Sequence, residues 1–61
     1  MKLKDKRKEL KLTQRQVAER VGIIENAYRR YESGSVIPSA IMACKIAKVL
    51  NTTVEELYGE D

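Results

Sequence analysis

Four polar side chains near the middle of the chain have the types and the spacing needed to read nucleic acid bases. They are Glu25, Asn26, Arg29 and Arg30, and on a helix at roughly 100° per residue they would share an arc about 140° wide. Arg can donate two hydrogen bonds to guanine, Asn can pair with adenine, and each such contact is worth about 1–3 kcal/mol of discrimination. The same arc would also suit a solvated surface, with Glu25 and Arg29 as an i, i+4 ion pair. Residue types alone leave both interpretations open.

The remaining residue types argue against catalysis and against a metal site. The chain has no histidine and a single cysteine, Cys44, so we expect neither a zinc site nor an intrachain disulfide. No nucleophile has a plausible base partner, no glycine-rich loop could cradle a phosphate, and the chain is too short for a proper pocket. We therefore expect no enzyme and no cofactor. Cys44 is expected to fill a small gap beside a helix.

Length and composition predict one small domain, residues 1–61, that works in the cytoplasm. A chain of 61 residues buries only about 60% of the surface of its unfolded form, so its core is a few side chains deep. With 43% hydrophobic and 34% charged residues, it suits neither a disordered segment nor a membrane protein. Its basic start lacks the apolar stretch of a signal peptide, and a lone thiol stays reduced in the cytoplasm.

Charge is distributed unevenly along the chain. Residues 1–30 carry ten Lys or Arg against four Asp or Glu, whereas residues 31–61 carry two against five. A basic half joined to an acidic half indicates one face for a polyanion and another face for a different contact. A lysine-rich face that merely keeps a small protein soluble would give the same count. Charge by itself therefore does not identify the partner.

Capping signals and apolar spacing predict two short helices in the first third of the chain. The first spans about residues 2–11, with lysines around a narrow inward stripe that includes Leu10. The second opens at Thr13, whose T-x-x-Q spacing to Gln16 is typical of a capping box. It ends at Gly22, because glycine readily takes the positive φ that follows a helix.

Three further helices are predicted in the rest of the chain, and no segment has the alternation of a strand. The third spans about residues 24–33, and the fourth begins at Pro38 and ends near Asn51. A second capping box, T-x-x-E from Thr53 to Glu56, opens the last helix. The side chains expected to face the core are apolar or aromatic: Leu3, Val17, Ala18, Val21, Ala27, Tyr28, Tyr31, Met42, Ala43, Ile46, Ala47, Val49 and Leu50.

The window from residue 14 to residue 33 suits two helices that cross steeply through a short turn. Such a crossing needs a small residue on the first helix, and Ala18 fits; the turn needs a residue tolerant of positive φ, and Gly22 fits. Apolar side chains must fill the angle between the helices, and the chain supplies Val17, Val21, Ile23, Tyr28 and Tyr31. The agreement of all these positions predicts a helix-turn-helix.

With these residues the chain resembles the phage repressor and Cro type of helix-turn-helix domain, also called XRE-like. The resemblance is carried by LTQRQVAERVG from residue 12 to 22, YESG from 31 to 34, PS at 38–39, KIAKVL from 45 to 50 and TVEEL from 53 to 57. It extends over essentially the whole chain without a gap. It implies an all-α, compact five-helix bundle of the lambda-repressor type, whose third helix enters the major groove of DNA.

The resemblance also implies roles for individual residues. Those matching base-reading positions are Glu25, Asn26 and Arg30, with Arg29 alongside; those matching phosphate contacts are Thr13, Gln14 and Ser35. The free N–H groups and positive dipole end of the second helix agree with an anion there. Arg7 and Glu32 match a structural ion pair of the family.

Two positions depart from the family pattern. Ile24 stands where Ser or Thr usually caps the third helix, and it can neither cap the helix nor contact phosphate. Glu25 stands where a neutral polar reader is common. A carboxylate can accept from cytosine N4 but is repelled by phosphates, so Glu25 either reads a cytosine or orients Arg29.

These features favour a sequence-specific regulator of transcription that binds double-stranded DNA, a repressor acting as a homodimer on a palindromic operator in a bacterium, an archaeon or a phage. The alternative is a protein-interaction module on the same fold, antitoxin-like or a co-regulator, with a regulatory protein as partner. A dimer is expected because two-fold partners read half-sites about 34 Å apart. The residues expected at its interface are Ile37, Val54, Leu57 and Tyr58, unless Leu57 only completes the monomer core.

Overall fold

The structure, a computed structural model, describes residues 1–59 and contains five helices within them. They are α1 (Leu3–Glu9), α2 (Gln14–Val21), α3 (Glu25–Ser33), α4 (Ala40–Val49) and α5 (Val54–Tyr58). No strand occurs in these residues. The all-α, five-helix prediction is confirmed. None of these helices is both long and apolar enough to cross a membrane.

Four of the helices end in the same way, with one residue at positive φ followed by a return hydrogen bond to the last turn. That residue is Lys11 after α1, Gly22 after α2, Gly34 after α3 and Asn51 after α4, at φ 58°, 90°, 84° and 55°. After α1 the N–H of Leu12 donates to the carbonyl of Arg7 at 3.2 Å, which is the pattern of a Schellman motif. This motif stops α1 at Glu9, two residues earlier than the sequence predicts, and leaves Leu10 41% exposed instead of facing the core.

The two predicted capping boxes differ in the structure. At α2 the box is complete, because Thr13 Oγ1 accepts from the N–H of Gln16 at 3.0 Å while Gln16 Oε1 accepts from the N–H of Thr13 at 2.8 Å. At α5 only half of it forms: Thr53 Oγ1 accepts from the N–H of Glu56 at 3.1 Å. The carboxylate of Glu56 accepts from the Thr52 hydroxyl at 2.8 Å instead.

The core is a layer of apolar side chains gathered around α4. The fully or nearly fully buried ones are Leu3, Val17, Ala18, Tyr28, Ala43, Ile46, Ala47, Leu50 and Leu57. Leu3 and Leu57 bring the two ends of the chain into this core, and the N–H of Lys2 donates to the carbonyl of Leu57 at 2.9 Å. Burial of these side chains is the main source of stability in a domain of this size.

Cys44 is exposed, so the expectation that it fills a small gap at the fourth helix is wrong. Ala43, Ile46 and Ala47 turn one face of α4 inward, whereas Ile41, Cys44 and the two lysines of this helix share the opposite face. That face is apolar at its start, where Ile41 is 74% exposed. Part of the apolar surface of α4 is therefore left uncovered in a single copy of the chain.

Candidate nucleic-acid interface

The turn between α2 and α3 is fixed by Gly22 and by two hydrogen bonds to one carbonyl. The oxygen of Ala18 accepts from the N–H of Gly22 at 2.9 Å and from the N–H of Ile23 at 3.0 Å. A Cβ on Gly22 would meet no atom within 4 Å, so its positive φ, and not lack of space, makes glycine the favoured residue. Val17, Ala18 and Tyr28 fill the angle between the helices and are at most 1% exposed. The two helices are therefore held at one angle.

The outer face of α3 presents the polar residues that the sequence singles out. Asn26, Arg29 and Arg30 are exposed, and Glu25 is half-buried at the start of the helix. The side chains of Asn26 and Arg30 make no hydrogen bond or ion pair with any residue that the structure describes. They are therefore available to an external ligand.

Ile24 leaves the start of α3 without a side-chain cap, as its type predicts. Its side chain is 72% exposed beside the polar outer face of α3. Glu25, in the first turn, places a negative charge at the positive end of the helix dipole, which compensates in part for the missing cap.

The side chain of Arg29 is held by hydrogen bonds to two residues. Its Nη2 donates to Glu25 Oε2 at 3.0 Å, and its Nε donates to Gln14 Oε1 at 3.3 Å. The amide nitrogen of Gln14 in turn donates to Glu32 Oε1 at 3.3 Å. A donor on one side and an acceptor on the other fix the orientation of this amide. These three hydrogen bonds form a continuous network between α2 and α3, called the relay below, that comprises Glu25, Arg29, Gln14 and Glu32.

The relay ends on an ion pair between Arg7 and Glu32, which joins α1 to α3. Arg7 Nε and Nη2 donate to the two carboxylate oxygens at 3.0 and 2.8 Å, and Nη1 donates to the carbonyl of Leu12 at 2.9 Å. The side chains are only 12% and 5% exposed. Burial acts to raise the pKa of Glu32, but hydrogen bonds, chiefly from Arg7, outweigh it and hold that pKa below its ordinary value. The pair implied by the resemblance is present.

The three expected phosphate contacts are already engaged within the protein. The Thr13 hydroxyl caps α2, the Gln14 amide belongs to the relay, and the Ser35 hydroxyl lies 2.9 Å from that of Ser33. The N–H groups of the first two residues of α2 have no intrahelical partner, as at any helix start. These backbone groups are the free donors at this end of α2.

Sequence reasoning missed the bridging role of Gln14. Lys4, Gln14, Arg29, Glu32 and Ser33 line a shallow cleft between the first turns of α1 and α2 and the second half of α3. The role of Gln14 depends on the approach of α2 to α3 and leaves no local pattern. No group of three or more metal-ligating side chains occurs in residues 1–59.

The dimer residues named from the sequence do not all lie on the surface. Leu57 is fully buried and completes the monomer core, so it is not available to a second copy. Val54 and Tyr58 are half-buried, and Ile37 is 82% exposed. Ile37 and Tyr58 border a groove that Pro38 and Ala43 complete.

Comparison with known proteins relates nearly the whole chain to regulators. The chain is 38% identical over 58 residues to the cryptic phage CTXphi transcriptional repressor RstR of Vibrio cholerae, a match that covers 95% of this chain and 52% of that protein. It is 39% identical to an uncharacterized HTH-type transcriptional regulator of Methanothermobacter thermautotrophicus, over 92% of this chain and 83% of that one. A third relative of the same description, from Archaeoglobus fulgidus, is 33% identical over 93% of this chain and 80% of its own length.

The chain therefore spans about half the length of the phage repressor and most of the length of the two archaeal proteins. No solved structure matches it. The family model described as helix-turn-helix matches residues 3–57, and with the α2–Gly22–α3 corner and its exposed polar face, this match shows that the chain belongs to the helix-turn-helix family.

Proposed function

We propose that this protein binds double-stranded DNA in a sequence-specific manner and regulates transcription as a repressor, with α3 in the major groove. The observation that carries the proposal is the outer face of α3, where the side chains of Asn26 and Arg30 are exposed and make no bond to residues 1–59. Arg and Asn are the side chains that pair bidentately with guanine and adenine. The unbonded N–H groups at the start of α2 would receive a backbone phosphate beside them.

The base contacts in this proposal are Glu25, Asn26, Arg29 and Arg30. The phosphate contacts are Thr13, Gln14 and Ser35. The second amide N–H of Gln14 would donate to a phosphate oxygen while its bonds to Arg29 and Glu32 stay in place. The hydroxyl groups of Thr13 and Ser35 would share their present hydrogen bonds with a phosphate oxygen or exchange them for it. The names of the relatives, regulators throughout and a repressor in one case, agree with this function. The basic first half of the chain supplies the electrostatic attraction to a polyanion.

We extend the proposal to a homodimer on a palindromic operator. The support is an apolar surface at the start of α4, where Ile37 is 82% and Ile41 is 74% exposed, beside the groove that Tyr58 borders. The exposed surface of the chain is 4332 Å², so a standard interface of about 800 Å² per partner would occupy nearly a fifth of it. A patch built on two isoleucines suits a smaller and weaker contact, completed when both copies occupy adjacent half-sites.

Binding-site selection from a pool of random duplexes tests the DNA-reading proposal. We expect the wild type to enrich a palindromic consensus. Arg30→Ala should lose preference at one position of each half-site without a change in thermal unfolding, because the side chain is exposed and unbonded. Lys48→Ala, which removes the same charge from the outer face of α4, is the matched control. An Arg30→Ala protein with an unaltered consensus would reject the assignment.

The dimer has its own test, with two isoleucines of nearly equal exposure. Ile41→Glu should raise the concentration at which the protein dimerises, measured by sedimentation, and should reduce cooperativity on the selected operator. Ile24→Glu is the control for sedimentation alone, because Ile24 is 72% exposed but lies at the start of α3, where a carboxylate would face the phosphates of an operator. Equal effects of the two substitutions on dimerisation, or no effect of Ile41→Glu, would place the interface elsewhere.

A further inference from the structure

Glu25 and Arg29 form an ordered pair on the surface that is proposed to face DNA. Arg29 is held by Glu25 from its own helix at 3.0 Å and by Gln14 from α2 at 3.3 Å. The side chains of Glu25 and Arg29 are nevertheless 37% and 58% exposed, so the pair remains open to a ligand on its outer side. An arginine restrained from two helices has lost much of its rotamer freedom before any ligand arrives.

The pair leaves a defined set of hydrogen-bonding groups unused. A guanidinium carries five N–H donors, and Arg29 uses one on Nη2 for Glu25 and one on Nε for Gln14. Three donors of Arg29 therefore remain unused, namely both N–H groups of Nη1 and the second N–H group of Nη2. On Glu25, Oε1 accepts no hydrogen bond from the residues that the structure describes. The pair thus presents one acceptor beside a group of donors.

A C·G base pair has the complementary pattern on its major-groove edge. Cytosine presents the N4 amino donor, and guanine presents the acceptors O6 and N7 next to it; in an A·T pair the only donor lies between two acceptors. We propose that Glu25 and Arg29 read one C·G base pair as a unit, with Glu25 accepting from cytosine N4 and Arg29 donating to guanine O6 and N7. This rests on the proposed function, because it requires α3 in the major groove.

Mutual neutralisation explains why a carboxylate is tolerated on this face. An isolated Glu25 would be repelled by the phosphates on either side of the groove, whereas Glu25 and Arg29 together bring no net charge into it. Gln14 is a positioning residue for Arg29, and Gln14 is itself anchored through Glu32 on Arg7. Both alternatives for Glu25 that the sequence leaves open, reading cytosine and orienting Arg29, are then parts of one contact.

Selection from a random duplex pool tests this with Glu25→Ala, Arg29→Ala and the double variant beside the wild type. The wild-type consensus should contain a C·G pair at one position of each half-site. Each single substitution should reduce that preference by at least about fivefold while other positions keep theirs. Since the two side chains act together, the double variant should lose no more than either single one.

The controls come from the other exposed i, i+4 pair, Arg15 with Glu19 on α2, whose charged atoms lie 3.8 Å apart. Glu19→Ala and Arg15→Ala make the same changes of net charge and should keep the C·G preference. Equal loss in these controls, an unchanged consensus for Glu25→Ala, or loss at different positions for Glu25→Ala and Arg29→Ala would overturn the inference and leave the proposed function standing. A wild-type pool with no enrichment at all would overturn the proposed function itself.

Discussion

Breaking the Arg7–Glu32 ion pair should remove most of the stability of the fold. Arg7→Met keeps an unbranched stem of similar length but leaves the Glu32 carboxylate, only 5% exposed, without its bidentate partner. Removing one partner of a buried pair costs about 3–5 kcal/mol. A domain of 61 residues has a total free energy of unfolding of about 3–9 kcal/mol, at roughly 0.05–0.15 kcal/mol per residue. The variant should therefore lose about half or more of the free energy of unfolding and unfold at a clearly lower urea concentration than the wild type.

Urea denaturation followed by circular dichroism measures the effect, with Lys8→Met as the matched control on the exposed side of α1. Lys8→Met should change the free energy of unfolding by less than about 0.5 kcal/mol. The double variant Arg7→Met, Glu32→Leu should recover most of the loss, because no buried charge then remains unpaired. It should still lack the bond from Arg7 to the Leu12 carbonyl, worth about 1 kcal/mol.

The pH dependence gives a second test with a definite sign. The folded pKa of Glu32 lies below its ordinary value of 4.5, so the contribution of the pair is present above that pH and is lost as the pH falls through the folded pKa. In Arg7→Met the unpaired carboxylate is penalised, and its protonation on acidification should narrow the difference from wild type. A loss below about 1 kcal/mol at pH 7, or a difference that is constant between pH 7 and pH 3, would refute this reasoning.

Three further substitutions test local features of the fold. Gly22→Ala should lower the free energy of unfolding by about 1–2 kcal/mol, because φ is 90° there; Gly22→Asn should cost less, and equal costs would contradict the strain argument. Thr13→Ala should destabilise the domain by about 1 kcal/mol, because it removes the hydrogen bond that the N–H of Gln16 donates to Thr13 Oγ1; a thermal melt unchanged from the wild type would contradict this. Tyr58→Phe removes a buried hydroxyl that has no partner in residues 1–59, so chemical denaturation should show unchanged or slightly greater stability, and a loss above about 1 kcal/mol would reveal a missed hydrogen bond.

Local signals made most of the fold predictable. Thr13, Gly22 and Asn51 mark helix boundaries through capping and positive φ, which are properties of a few neighbouring residues. The end of α1 was not predictable in the same way, because Lys11 takes a positive φ that lysine does not favour. There the return hydrogen bond from Leu12 to Arg7 sets the conformation.

Two features could not be predicted without the tertiary structure. They are the side of each helix that neighbouring helices cover and the contacts between residues far apart in the sequence. Periodicity placed Ala43 and Ile46 on the inner side of α4 correctly, but the apolar arc of this helix is wide, and periodicity could not show that Cys44 is left exposed. The exposure of the polar residues of α3 that are proposed to read bases follows from helical spacing. The hydrogen bond from Arg29 to Gln14 joins residues 15 positions apart in the sequence, and it depends on how closely α2 approaches α3.

The dependence of DNA affinity on salt is the most direct test of the central claim, that this basic helix-turn-helix binds the phosphate backbone and bases of duplex DNA. Purified protein is titrated with a random-sequence duplex and with the selected site between 50 and 200 mM NaCl. Counterion release predicts a linear fall of log K with log salt, by about 0.9 per phosphate contacted, with the selected site bound more tightly throughout. No binding to either duplex at low salt, or an affinity that does not change with salt, would contradict it and favour a protein as the partner of α3.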